Sequence, residues 1–335
     1  MIVTLTVNPS LDRTVDIGDL ARGAVIRADS ARLDPGGKGV NVSRALLANG
    51  VPSRAVLPVG GGEGDQLVRL LHAEGVAVTA VPIAARTRSN IALAERDGTI
   101  TKINEPGPRL TPAELDEVAA AVAATAAPAG RPGPGGDGAP QAASGLSGGT
   151  RWVAACGSLP PGVPVGFYAD LCRRCAQAGL SVAIDTSGPA LLAAIQARPS
   201  LIKPNRDELA AAVGTPITRM RDVIDAAQTL RSWGAGAVLA SLGPDGAVLV
   251  SADGVTVGEA AVERPRSSVG AGDALLAGFL AGGAHGEDAL AQALAWASAA
   301  VALPGSRMPG PPDIRPEAVR IRPAPDLARD LVVQP

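Results

Sequence analysis

Residues 181–205 read SVAIDTSGPALLAAIQARPSLIKPN. Two short apolar runs, SVAID (181–185) and SLIKP (200–204), flank a helix-like segment. Continuous apolar runs that alternate with helices are the pattern of strands buried on both faces in βαβ units. The pattern extends in both directions, with WVAAC (152–156) before and AVLAS (237–241) after. Four such runs predict a parallel sheet in an α/β fold. Each run ends in polar or glycine residues: Gly157-Ser158, Asp185-Thr186-Ser187, Lys203-Pro204-Asn205 and Ser241-Leu242-Gly243. Open α/β sheets bind ligands beyond the carboxyl ends of their strands, so a site is expected along that edge.

Toward the N-terminus the pattern changes. A strand candidate, Ile2 to Val7, runs into the turn Asn8-Pro9-Ser10, and Arg13 to Leu33 holds short β-like runs broken by Gly18 and Gly23. Pro35-Gly36-Gly37-Lys38-Gly39 then precedes a helical stretch, Val40 to Leu47, for which Gly50 is a plausible stop. Ser89 to Arg96 and Thr99 to Ile103 are joined by Asp97-Gly98, a strong two-residue hairpin signal. Both β-rich stretches are partly polar, as suits a small sheet with one wet face. Residues 128–150 form a Gly/Pro/Ala/Ser tract, read as a flexible surface loop between a helix ending near Ala127 and the strand at Trp152. Gly133 to Gly138 satisfies G-x-G-x-x-G, but no strand precedes it and no helix follows, so a dinucleotide site is rejected.

A length of 335 residues allows one large or two modest domains. The 30 basic and 32 acidic residues nearly cancel, which removes any general electrostatic reason to bind nucleic acid or an anionic membrane. Hydrophobic residues reach 46% but aromatic ones only 2%, so the core must be aliphatic. Three cysteines and two histidines support neither a disulfide framework nor a His-rich metal site. The stretch MIVTLTVNP carries no basic n-region, and the apolar stretches at 274–283 and 289–303 are too short or too polar to span a bilayer. The expectation is a soluble cytoplasmic protein.

Three constellations carry chemistry. Ser267-Ser268-Val269-Gly270-Ala271-Gly272-Asp273 feeds an apolar helix, and a glycine-rich turn at a helix start presents free N–H groups to an anion. Asp273 would repel a phosphate there unless it accepted a proton from an attacking hydroxyl. An acid that merely caps the helix is the competing reading. Asn205-Arg206-Asp207-Glu208 offers two oxygen donors one turn apart for phosphate-bound Mg²⁺, and equally fits a capping box. Pro35 to Asn41 is not a P-loop; it suits a polyol or a small phosphate, or is a glycine turn with a solvent-facing lysine. Cys172 and Cys175 have C-x-x-C spacing inside a helix with no second pair, so packing is expected of them, and His72 and His285 receive no catalytic role.

Taken in order, TLTVNPSLDRT, DPGGKGVNVSRAL, RTRSNIAL, NEPGP, CGSLPPGVP, IDTSG, IKPNRDEL, SLGPDGAVLV and SSVGAGDALLAGF resemble the ribokinase/PfkB carbohydrate kinase family from about residue 1 to 305. NPSLDRT with GGKGVNVSRAL is most like its 1-phosphofructokinase and tagatose-6-phosphate kinase branch, and within that the former. The resemblance implies a single ribokinase-like domain over 1–335: a doubly wound, mostly parallel central sheet flanked by helices. A small β lid from about 10–34 and 86–107 would cover it, and ATP and Mg²⁺ would serve the reaction. It implies Asp273 as catalytic base, with Gly270, Ala271 and Gly272 as the anion hole. Asn205 and Glu208 would organise Mg²⁺, while Lys203 and Ser241 to Gly246 (Ser241, Leu242, Gly243 and Gly246 among them) would border the nucleotide. Asp12, Gly37, Lys38 and Asn41 would hold the sugar, and Arg88, with Arg27 and Lys38, its phosphate.

The activity so implied is phosphorylation of fructose 1-phosphate at C6. Its rivals are tagatose-6-phosphate or fructose-6-phosphate kinase, and a catalytically silent sugar-phosphate binding protein. Retention of Asp273, Asn205 and Glu208 argues against silence. A homodimer through the lid is expected by analogy alone.

Overall fold

In strand β1 (Ile2–Thr6) every residue is buried, which requires cover on both faces. The computed structural model describes residues 1–127, 151–322 and 325–332. The Gly/Pro tract at 128–150, with its G-x-G-x-x-G, lies outside them. After β1 come β2 (Ser10–Asp16), β3 (Ser30–Gly36), α1 (Lys38–Ala48), β4 (Ser53–Val59), α2 (Gly61–Ala73) and β5 (Val78–Pro82). The hairpin β6 (Arg88–Ala94) and β7 (Ile100–Asn104) leads to α3 (Pro112–Ala126). Beyond the tract, β8 (Trp152–Cys156), α4 (Phe167–Gln177), β9 (Ser181–Asp185), α5 (Gly188–Ile195) and β10 (Leu201–Ile202) alternate strictly. Then follow α6 (Arg206–Val213), α7 (Met220–Trp233), β11 (Ala237–Ser241), β12 (Ala247–Ser251), β13 (Gly254–Ala260), α8 (Ala271–Ala281), α9 (Gly286–Val301) and β14 (Val319–Arg322).

The larger sheet has ten strands in the order β14-β13-β12-β11-β10-β9-β8-β1-β4-β5. From β11 to β5 all neighbours are parallel, and β11 to β14 form an antiparallel edge. The chain winds from β1 outward through β4 to β5, then restarts at β8 on the other side of β1. That reversal opens a crevice at the carboxyl ends of the central strands. The strand period of two divides the core: Val153, Ala155, Val182 and Ile184 join one apolar cluster, while Ala154, Cys156 and Ala183 join another. The first cluster is closed by Val118 of α3, Leu171 of α4, Leu191 of α5 and Leu230 of α7. The second is closed by Leu46 of α1, Phe279 of α8 and Leu290 of α9. Cys172 and Cys175 lie in the first, and burial pushes their thiols up to about 12 and about 11, so they are packing residues.

A separate four-stranded sheet, β3-β2-β6-β7, is built from the two β-rich stretches. Its central pair, β2 with β6, is parallel, and the outer pairs are antiparallel. The hairpin closes around three residues rather than the expected two. Glu95 N donates to Thr99 O at 2.9 Å, Gly98 N donates to Glu95 O at 3.0 Å, and Gly98 takes φ 93°. The run SLIKP is likewise shorter as a strand than it reads: only Leu201 and Ile202 are strand, although Lys203 N still donates to Ile184 O at 2.9 Å while its side chain lines the crevice. Among the described residues no helix is long and apolar enough to cross a membrane.

Candidate active site

Helix α8 begins at Gly270, whose φ of 78° is left-handed and whose Cβ, if present, would meet Met308 Cε at 2.6 Å. The positive φ is what requires glycine, since the Met308 tip could shift aside. The amides of Gly272 and Asp273 donate to nothing among the described residues, as the first turn of a helix leaves them. Asp273, the third residue of α8, is buried and accepts a hydrogen bond from Asn41 Nδ2 at 2.8 Å. Desolvation, reinforced by nearby Asp185, raises its carboxyl to about 6, against the pull of Asn41, Lys203 and Lys38. Asp273 is thus no ordinary cap: its side chain makes no capping bond to its helix and lines a cleft of about 840 Å³.

Opposite it, Asp185 at the end of β9 is fully buried between two lysines. Lys38 Nζ lies 2.8 Å from one carboxylate oxygen and Lys203 Nζ 3.1 Å from the other. Burial would raise Asp185, but the two lysines hold its carboxyl below the usual range. Burial opposes the charge on Lys38 as well; Asp185 and Glu208 overcome it and raise the ammonium. Lys38 therefore pairs with two carboxylates at the cleft while its side chain stays 38% exposed.

Asn205 and Glu208 form the capping box of α6: Glu208 N donates to Asn205 Oδ1 at 2.8 Å, and Asn205 N to Glu208 Oε2 at 2.9 Å. The second oxygen, Glu208 Oε1, sits 3.4 Å from Lys38. The cap thus touches the cleft through Lys38, although Glu208 itself is not among the lining residues. Lys203, Asn205, Ser241, Gly243, Gly246 and the α8 start all line the cleft, with Leu294 and Val301 as an apolar wall. Leu242 does not line it; its side chain is fully buried under the loop, a correction to its expected place at the nucleotide.

On the other side, Asp12 Oδ1 accepts from Ser10 Oγ at 2.6 Å and Asn90 Nδ2 at 2.9 Å, fixing its carboxylate at the β2–β6 pairing. Gly36 and Gly37 lead into α1, and a Cβ at Gly36 would overlap the Asp12 carboxylate. Arg88, read as a free phosphate clamp, is tied down: NH1 donates to Glu105 O and NH2 to Asn8 O, each at 3.0 Å. Its Nε is buried without a partner. Arg27 lies in the β2–β3 connection and makes no hydrogen bond or ion pair among the described residues, so no contact joins it to the cluster. His72 in α2 and His285 at the start of α9 take part in none of these contacts and do not line the cleft.

Three residues were missed from sequence. Asp185 had a visible signal, a charge ending an apolar strand. Arg44 binds Glu74 at 2.6 Å and approaches Asn41 Oδ1 at 3.5 Å, and Asn90 holds Asp12; neither carried a signal of its own.

The pfkB family carbohydrate kinase model matches residues 6–127 and 149–313. The chain belongs to that family. It is 36% identical to a 1-phosphofructokinase of Rhodobacter capsulatus over 281 residues, covering 83% of this chain and 82% of the relative. Identity to the 1-phosphofructokinase of Haloferax volcanii is 35% over 318 residues, with 94% and 95% covered. The solved phosphofructokinase-2 of Escherichia coli, in complex with potassium, superposes with a TM-score of 0.83 at 30% identity, covering 93% and 96%. As a pfkB-family member this chain is an ATP-dependent sugar kinase, and the doubly wound sheet with its second small sheet is the expected architecture.

Proposed function

We propose that this kinase phosphorylates the C6 hydroxyl of fructose 1-phosphate to give fructose 1,6-bisphosphate. The observation that carries the chemistry is Asp273: a buried, cleft-facing carboxylate beside free helix-start amides. Its carboxyl is raised to about 6, so it is ionised at neutral pH and still basic enough to take a proton. The two relatives named 1-phosphofructokinase, similar over most of their length, support this acceptor.

In the proposed mechanism Asp273 accepts the C6 hydroxyl proton as that oxygen attacks the γ-phosphorus of ATP and ADP departs. The amides of Gly272 and Asp273 stabilise negative charge on the transferring group; Ala271 N donates to Ser268 O at 3.4 Å, and Gly270 sets the turn that aims the free pair. Lys38 and Lys203, held by Asp185, present positive charge without moving in the reaction. Asp12, braced by Ser10 and Asn90, orients sugar hydroxyls, with Gly37 and Asn41 alongside. Arg88 holds the sugar's phosphate with the N–H groups left over from its two carbonyl bonds, and Arg27 joins it by movement of its loop. Ser241, Gly243 and Gly246 border the nucleotide.

Among the described residues no cluster of three or more His, Cys, Asp or Glu is arranged to hold a metal. Mg²⁺ carried on nucleotide phosphates typically uses one or two carboxylates and water. Glu208 and Asn205 are the residues that would hold it, and its chemistry is neutralisation of phosphate charge. The chain works as one kinase unit in this reading, with the four-stranded sheet as a lid. β7 is an edge strand with Ile100 and Ile103 exposed on its two opposite faces, and lid-to-lid pairing of two copies would use that edge, which light scattering of the purified protein would test.

A coupled ADP-release assay across fructose 1-phosphate, fructose 6-phosphate, tagatose 6-phosphate, fructose and ribose tests the acceptor. Fructose 1-phosphate should have the highest kcat/KM. Preference for either 6-phosphate overturns the acceptor and leaves the kinase; no turnover with any sugar leaves a binding protein.

A further inference from the structure

Asp245 closes the short 3-10 turn Gly243–Asp245, in the loop whose Gly243 and Gly246 line the cleft, yet it is only 2% exposed. Both its oxygens are satisfied from one distant segment. Oδ1 accepts from Arg329 NH2 at 2.8 Å and Oδ2 from the backbone N of Val332 at 2.8 Å. Arg329 also reaches Glu259 of β13 through NH1 at 3.1 Å, so its guanidinium bridges two carboxylates. The same segment is bonded to the start of α6. Arg206, immediately after Asn205, donates NH1 to Val332 O at 2.8 Å and Nε to Ile217 O at 2.9 Å. Leu331 is buried in the core and its N donates to Thr218 O at 2.8 Å. Residues 326–332 thus strap the two segments that flank one side of the cleft, the 243–246 turn and the head of α6.

We infer that this strap positions the nucleotide-binding loop, with Asp245 and Arg329 as positioning residues for ATP; the inference rests on the kinase reading above. Gly246, with φ 88°, is packed directly on Gly258 of β13, so the turn cannot shift in that direction. The free direction is outward, and there, among the described residues, only Arg329 and Val332 bond the Asp245 side chain. A buried carboxylate that loses its partner is destabilised in place and turns toward water. That motion would carry Gly243 and Pro244 into the cleft or away from it, while the sugar side, built on Asp12 and Asn41, stays where it is.

The test compares wild type with Arg329→Met, Arg329→Lys and Asp245→Asn. ATP binding is read by calorimetric titration, steady-state KM by varying ATP and sugar phosphate separately, and folding by thermal melts. For Arg329→Met and Asp245→Asn, KM and Kd for ATP should rise about 5- to 20-fold, while KM for the sugar phosphate changes less than twofold. Arg329→Lys keeps a cation for Asp245 but cannot bridge to Glu259, so it should recover part of the loss and serves if the Met variant does not fold. Lower melting temperatures with unchanged ATP constants in all three variants would overturn the strap's role. Failure of the wild type itself to bind ATP would overturn the kinase reading and the strap together.

Discussion

Asn41 Nδ2 donates to Asp273 Oδ2 at 2.8 Å, joining α1 to the first turn of α8 across 232 positions of sequence. On its other side Asn41 Oδ1 faces Arg44 NH1 at 3.5 Å, which settles which way the amide turns. Arg44 is itself fixed by Glu74 and by the carbonyl of Ser306. The carboxylate thus receives a neutral donor rather than a direct cation. A cation in contact would have stabilised the charge far more and made the group a poorer base.

Replacing Asp273 by Asn should lower kcat by roughly 10²–10⁴, the range for loss of a general base. It should also raise stability at pH 7.5. The folded-state carboxyl is raised to about 6, so its stabilising contribution is full below the ordinary carboxylate value and lost as pH rises through 6. Above that the buried charge is a cost, removed in Asn, of about 1–3 kcal/mol. Steady-state kinetics with calorimetric melts checks both; near-normal turnover would return Asp273 to a structural role.

The pH profile of kcat/KM for the sugar should fall on the acid side with a midpoint near the carboxyl value of about 6 and stay level above it. Asn41→Ala removes the donor that lowers this value, so the midpoint should move up. The other groups facing Asp273 are Asp185, Lys38 and Lys203, and none is altered by the change. An unshifted acid limb in Asn41→Ala would dissociate the limb from Asp273.

Glu208→Gln separates the cap from the site. Gln at the third helical position preserves a capping box, so the melting temperature should hold within a few degrees. The Mg²⁺ concentration for half-maximal rate should rise severalfold, because the charge facing Lys38 and the phosphates is gone. An unchanged Mg²⁺ titration would leave Glu208 as a cap alone.

Arg88 calls for two variants. Arg88→Ala removes the ties to Asn8 and Glu105 as well as any phosphate contact, so it should raise KM for the sugar phosphate and lower the melting temperature. Arg88→Lys keeps a cation but not the fork. If Arg88 grips phosphate, both variants should raise that KM about tenfold or more and spare KM for ATP. A KM restored by Lys would leave only a general positive charge, and an unchanged KM in both would confine Arg88 to its ties to the Asn8 and Glu105 carbonyls.

Much of the fold was legible because its signals are local. WVAAC, SVAID and AVLAS could only be strands covered on both faces, and the Asp97-Gly98 turn could only sit in a hairpin. The antiparallel edge from β12 to β14 was not read: β12 and β13 form a tight local hairpin, Ser251 pairing with Gly254, whose Asp253-Gly254 turn was passed over, and only β14 joins from a distant stretch. Of the site, Asp273 and the Asn205–Glu208 pair were legible because helix starts constrain residue type at fixed spacing.

The sequence by itself determined the α/β alternation, the carboxyl edge where ligands gather, and the helix start carrying Asp273, all matters of period and short spacing. Only the tertiary structure decided that Lys38 and Lys203 meet on Asp185, that Asn41 rather than a cation contacts Asp273, and that Arg329 closes on Asp245. Those contacts join residues 18 to 232 positions apart. A buried charge takes its partner from whatever the packed elements bring within about 3 Å, and no local pattern in the chain records that.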